Sequence, residues 1–127
     1  MTGTSGLSGQ PAGVDGFVAS VRDAIVILLR ATRLDVATIA EALGVGARTL
    51  QRRLGRAGLD FTRLVADVRF DIAVRLLGNP RMKLAEIALE VGYSDQAHFS
   101  RAFRQWTGVP PREFRRRFRS GDALSGR

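Results

Sequence analysis

Residues 84–114 read LAEIALEVGYSDQAHFSRAFRQWTGVPPREF, and the fold of this stretch decides how the rest of the chain is read. Leu84, Ile87, Ala88 and Val91 recur at offsets of three, four and seven, the apolar stripe of a short helix. Gly92 is placed to end that helix, because a residue without a Cβ takes the left-handed conformation that reverses the chain at little steric cost. Ser94 or Asp95 then offers a side-chain oxygen to cap a second helix. The predicted product is helix, tight turn, helix. The second helix buries Phe99, Ala102, Phe103 and Trp106, which turns Gln96, Ala97, Ser100, Arg101 and Arg104 outward. A face mixing Arg, amide and hydroxyl groups suits the floor of a DNA major groove. Taken alone, the same pattern fits an ordinary charged surface helix equally well.

A second copy of the pattern breaks the tie. Ile39, Ala40, Leu43 and Gly44 match Ile87, Ala88, Val91 and Gly92 at an offset of 48, and Leu50, Arg52 and Leu54 match Phe99, Arg101 and Phe103 at an offset of 49. One extra residue in the second turn accounts for the slip. Packing alone does not require a helix-turn-helix pattern twice, whereas reading two stretches of groove does.

The composition agrees. The 127 residues carry 20 Lys and Arg against 12 Asp and Glu, a formal net charge of +8 and a sequence pI near 11.6. That balance calls for a polyanionic partner, most simply nucleic acid. All the basic residues except Lys83 are Arg, the side chain suited to bidentate recognition of phosphate and guanine. The absence of Cys excludes disulfides, thiolate metal sites and redox centres, and points to the cytoplasm. The longest apolar run, Ala24–Leu29, is far below the ~20 residues of a membrane span, and no secretory leader is recognisable.

Residues 1–13 have the composition of a flexible leader or interdomain linker, and 120–127 that of a tail. A first helix is predicted from a cap at Asp15 to about Arg30, burying Phe17, Val21, Ala24, Ile25 and Leu28. The first helix-turn-helix covers about 36–57: Asp35 caps a supporting helix over Val36–Leu43, and a second helix starts at Ala47. Leu50 and Leu54 face inward there, leaving Arg48, Thr49, Gln51, Arg52 and Arg53 outside, with no acidic residue between Arg48 and Arg56. Asp60 caps the longest helix, about 61–77, whose polar side alternates in sign through Arg63, Asp67, Arg69, Asp71 and Arg75. At ~1.5 Å per residue it is a rod of roughly 25 Å. With the width of the helices at its ends, that is long enough to set two reading helices about one DNA turn apart, ~34 Å. The second helix-turn-helix covers about 84–107. A terminal helix of about 110–118 begins at Pro110 or Pro111, is anchored by Phe114 and Phe118, and carries a basic patch of Arg112, Arg115, Arg116, Arg117 and Arg119.

The string GYSDQAHFSRAFRQWTGVPPREFRR resembles the signature of the AraC/XylS family of bacterial transcription regulators, and LDVATIAEALGVGARTLQRRL resembles that family's first helix-turn-helix. The resemblance spans about residues 17–118. It implies an all-α fold: a seven-helix domain of two helix-turn-helix, homeodomain-like subdomains joined by a long linker helix, within residues 14–119. It also implies sequence-specific binding of double-stranded promoter DNA by two major-groove recognition helices, and bacterial transcription regulation. RNA polymerase is a second partner the family admits. Carried over by position, the base-contact candidates are Arg48, Gln51 and Arg52 in the first unit and Gln96, Ala97, Ser100 and Arg101 in the second. The phosphate-contact candidates are Thr49, Arg53, Arg56, Lys83, Arg104, Arg112, Arg115 and Arg116. No cofactor, metal or membrane is implied, and a small-molecule effector would act only through a sensor domain absent from this chain. The chain is expected to be either the DNA-binding part of a longer regulator or a stand-alone member. Two departures concern capping: Gly46 and Lys83 stand where the family often has a hydroxyl.

Two rival functions are weaker. For an enzyme, the chain offers one His, His98, expected to be a partly buried packing residue, and no second His or Cys to complete a metal site or an activated nucleophile. A degenerate helix-turn-helix module that binds a protein partner fits poorly with the arginines kept on both outward faces.

Overall fold

The computed structural model describes residues 14–30 and 34–119, with the side chains of residues 14, 15, 118 and 119 outside that description. Seven α-helices and no strand occur among the described residues: α1 Val14–Leu28, α2 Val36–Leu43, α3 Ala47–Arg56, α4 Phe61–Leu77, α5 Leu84–Glu90, α6 Gln96–Thr107 and α7 Pro111–Arg119. They divide into two compact units whose boundary falls between Val68 and Arg69, inside α4.

In the first unit, α2 and α3 form the predicted helix-turn-helix. The Asp35 carboxylate accepts the Thr38 N–H at 2.9 Å and the Thr38 hydroxyl at 2.8 Å, so α2 starts at Val36 as the sequence requires. Val21, Ala24, Ile25, Leu29, Ile39, Ala40, Leu50, Leu54, Leu64 and Val68 are buried. Three expectations for α1 change. The helix already includes Val14, so Asp15 lies inside it; Phe17 is only half-covered; and Leu29 is buried while Leu28 is half-covered. The shift arises because α1 ends at Leu28 and the following turn swings Leu29 inward, its N–H bonded to the Val26 carbonyl at 3.4 Å.

In the second unit, Ile87, Ala88, Val91, Phe99 and Phe103 are fully buried beside Ala73 and Leu77. The aromatic rings interlock: Phe103 stacks on Phe70 with centroids 5.9 Å apart and meets Phe114 edge-on at 5.2 Å, while Trp106 meets Phe70 edge-on at 5.9 Å. Such contacts each add about 0.5–1.5 kcal/mol to the burial of the rings. They fix the inward face of α6 and therefore which residues face outward. Phe114 takes its predicted place in this cluster; the side chain of Phe118 lies outside the described residues.

The duplication is visible bond by bond. At the end of α2 the Gly44 N–H reaches the Glu41 carbonyl at 3.1 Å and the Val45 N–H reaches Ala40 at 3.0 Å. At the end of α5 the Gly92 N–H reaches Leu89 at 3.0 Å and the Tyr93 N–H reaches Ala88 at 2.9 Å. Both glycines are left-handed, with φ of 75° and 92°, a conformation that strains any residue with a Cβ. The extra residue of the second turn is accommodated between Tyr93 and Asp95, after the shared reversal.

Candidate nucleic-acid interface

The two reading helices start differently. Gly46, the residue before α3, makes no side-chain cap, whereas Asp95 before α6 accepts the His98 N–H at 2.9 Å. The supporting helices show the opposite arrangement. Asp35 caps α2 with its side chain, but Lys83 before α5 cannot, because an ammonium has no acceptor. Only the reciprocal half of that cap exists, the Lys83 N–H donating to the Glu86 carboxylate at 2.8 Å.

On α3, Arg48, Gln51, Arg52 and Arg56 are exposed and Thr49 is half-buried. None of those arginines pairs with a carboxylate among the described residues. An uncompensated basic face of this kind is electrostatically unfavourable until an anion meets it. Arg53 is placed differently: its guanidinium lies 3.9 Å over the Phe17 ring, so one face of it is used to seat α3 on α1.

On α6, Ala97, Arg101 and Arg104 are exposed. Gln96 and Ser100 are half-buried and line a cleft of about 200 Å³ with Leu84, Pro110, Pro111 and Arg112. His98 is exposed, not a packing residue. Its Nδ1 lies 2.9 Å from the Asp95 carboxylate and 3.5 Å from the Ser94 hydroxyl. Phe99 turns into the aromatic cluster, and His98, one residue earlier on the same turn, is left on the outside, where its ring joins the cap. The His98 backbone N–H, with the imidazole as a lesser cause, holds the Asp95 carboxyl below its ordinary range.

Two arginines have roles that charge alternation and charge clustering did not reveal. Arg69, on the second half of α4, donates to the Gly92 carbonyl at 3.3 Å and lies 4.8 Å over the Tyr93 ring, which ties the α5–α6 turn to α4. Burial pushes the Tyr93 phenol up and Arg69 opposes the shift. Arg115 donates to the carbonyls of Leu77 and Asn79, both at 3.2 Å, and so closes the end of α4 with a side chain from α7. Among the remaining phosphate candidates, Lys83, Arg112 and Arg116 are exposed. No helix among the described residues is long and apolar enough to cross a membrane.

A family model for a helix-turn-helix domain matches residues 39–117. The chain belongs to the AraC-type helix-turn-helix family. Among curated relatives, the transcriptional regulator VirS of Mycobacterium tuberculosis is 39% identical over 88 residues, covering 69% of this chain and 26% of that protein. The ornithine utilization regulator of Pseudomonas aeruginosa is 37% identical over 81 residues, covering 64% of this chain and 24% of its own length. This AraC-type chain thus spans about a quarter of the relatives it matches.

Solved structures agree on the fold. The C-terminal domain of AraT, a response regulator from Geobacillus stearothermophilus, is 32% identical with a TM-score of 0.70, covering 81% of this chain and 86% of that one. The DNA-binding domain of AdpA, a global transcriptional factor solved in complex with a target DNA, is 25% identical with a TM-score of 0.67, covering 84% of this chain and 96% of that one.

Proposed function

We propose that this chain binds double-stranded promoter DNA sequence-specifically, with α3 and α6 each entering a major groove, and thereby regulates bacterial transcription in the cytoplasm. The observation that carries the reading is the outward face of α3, where Arg48, Arg52 and Arg56 stand exposed beside Gln51 without a carboxylate partner among the described residues. Family membership and the DNA complex of the AdpA domain support the same reading.

Arg48, Gln51 and Arg52 are the base-reading side chains of the first unit, and Gln96, Ala97, Ser100 and Arg101 those of the second. Arg to guanine and Gln to adenine are the pairings the groove geometry favours, each worth about 1–3 kcal/mol of discrimination. Thr49, Arg53, Arg56, Lys83, Arg104, Arg112, Arg115 and Arg116 face the phosphate backbone. Arg53 does so from the edge of a guanidinium whose face lies on Phe17. Two heads in one chain read two segments of groove, which makes the site bipartite. The role needs no enzymatic step, and RNA polymerase is a second partner where the regulator activates. Selection of bound sequences from a random duplex pool tests the proposal. An asymmetric site with two conserved blocks about 10 base pairs apart is expected, and recovery of no consensus overturns it.

A further inference from the structure

We propose that His98 is a further DNA contact of the second unit: its imidazole, held by Asp95, takes up a proton on binding and donates Nε2–H to a backbone phosphate. The inference rests on the DNA-binding reading above. Three observations lead to it.

First, the duplication places His98 at the position of Thr49, since both follow at the 49-residue offset that relates α3 to α6. A residue at this position stands on the first turn of a reading helix, beside its outward face. Second, the His98 side chain is 56% exposed and shares a side of α6 with Arg101, three residues on. Third, the ring has a defined orientation. With Nδ1 2.9 Å from the Asp95 carboxylate, which is acceptor-only when ionised, Nδ1 carries a hydrogen and Nε2 is the atom left for a ligand. In the neutral ring Nε2 is an acceptor and faces a phosphate oxygen unfavourably. In the protonated ring it is a charged donor. DNA therefore favours the protonated form, and Asp95 positions it and offsets its charge.

Arg75, Arg101, Arg104, Arg112 and Arg116 stand on or around α6 and are exposed, all of one sign, whereas the carboxylates other than Asp95 are held elsewhere. Arg69 of α4 is on the Gly92 carbonyl, Glu86 of α5 on the Lys83 N–H and Glu113 of α7 on Arg117. Asp71 and Glu90 have partners of their own, and Asp95 is the carboxylate in contact with the ring. The chain contains one His and no Cys, so no other side chain ordinarily titrates between about pH 6 and pH 8.

The test is duplex affinity by fluorescence anisotropy at fixed salt, from about pH 8 to about pH 6, with circular dichroism confirming the helical fold of each variant. The wild-type chain is expected to tighten about fivefold as pH falls, on specific and random duplexes alike, as a phosphate contact requires. His98→Gln is expected to bind with an affinity that does not change with pH. Asp95→Asn keeps a capping side chain and is expected to reduce the size of the pH response, because the ring loses the carboxylate that orients it. A pH-independent wild type, or an undiminished response in His98→Gln, overturns the proposal while leaving DNA binding intact. An equally large response in Asp95→Asn overturns the positioning role of Asp95. Absence of duplex binding at every pH defeats the DNA-binding reading itself.

Discussion

Arg52 and Arg115 carry the same charge and differ in what their donors already hold. Arg52 is exposed in the middle of α3 with no carboxylate partner among the described residues, whereas two donors of Arg115 are bonded to main-chain carbonyls at the end of α4. Arg52→Ala is expected to leave the melting temperature nearly unchanged and to relax base preference in one block of the site by about 1–3 kcal/mol. Repeating the random-pool selection on the variant reads this directly, and an unaltered consensus would remove Arg52 from the base-reading set. Arg115→Ala is expected to destabilise the fold by about 1–2 kcal/mol, because it strips a charged donor from the part-buried Leu77 carbonyl, the exposed Asn79 carbonyl being left to water. Thermal denaturation reads the effect. A variant as stable as the wild type would show that the two carbonyl bonds contribute nothing. Arg53 and Arg69 belong with Arg115 in having packing work, one over Phe17 and one over Tyr93. Their aromatic partners lie far off in sequence, so counting charges along the chain could not separate them from Arg48 or Arg52.

Helix boundaries were legible because the residues that set them act locally. Asp35, Gly44, Asp60 and Gly92 impose their conformations within a few residues, and α2 and α4 begin and end where those residues and the apolar spacing put them. The start of α1 was not legible, since Asp15 is a plausible cap in sequence but falls inside the helix. His98 departs from expectation for a related reason: a lone His beside aromatic residues suggests packing, whereas the three-residue spacing to Asp95 is the signal that it belongs to a cap. The helix α3 also carries a stability defect visible from its composition. Gly55 lies inside it, and a Cβ built there meets nothing within 4 Å. Gly55→Ala is expected to stabilise the chain by about 0.5–1 kcal/mol by reducing the freedom of the unfolded chain, measured as a raised midpoint in urea. A lowered midpoint would show that the position needs glycine for a reason other than helix formation.

At the scale of the molecule, the net charge of +8 and the uncompensated face of α3 make a quantitative statement about binding. The seven Arg and Lys residues assigned to phosphates would give log K against log salt a slope of about −6. Association with an apolar protein surface would respond far less, so a slope shallower than about −2 would favour the protein-partner alternative. The turn built twice has a consequence for engineering. Because Gly44–Val45 and Gly92–Tyr93 close their helices with the same pair of main-chain bonds, each outward set is mounted on an equivalent socket. If both sets read bases as proposed, the specificity of one half is transplantable to the other: the α3 side chains, written into α6 with the 49-residue shift, would give a lopsided operator two halves of the same sequence.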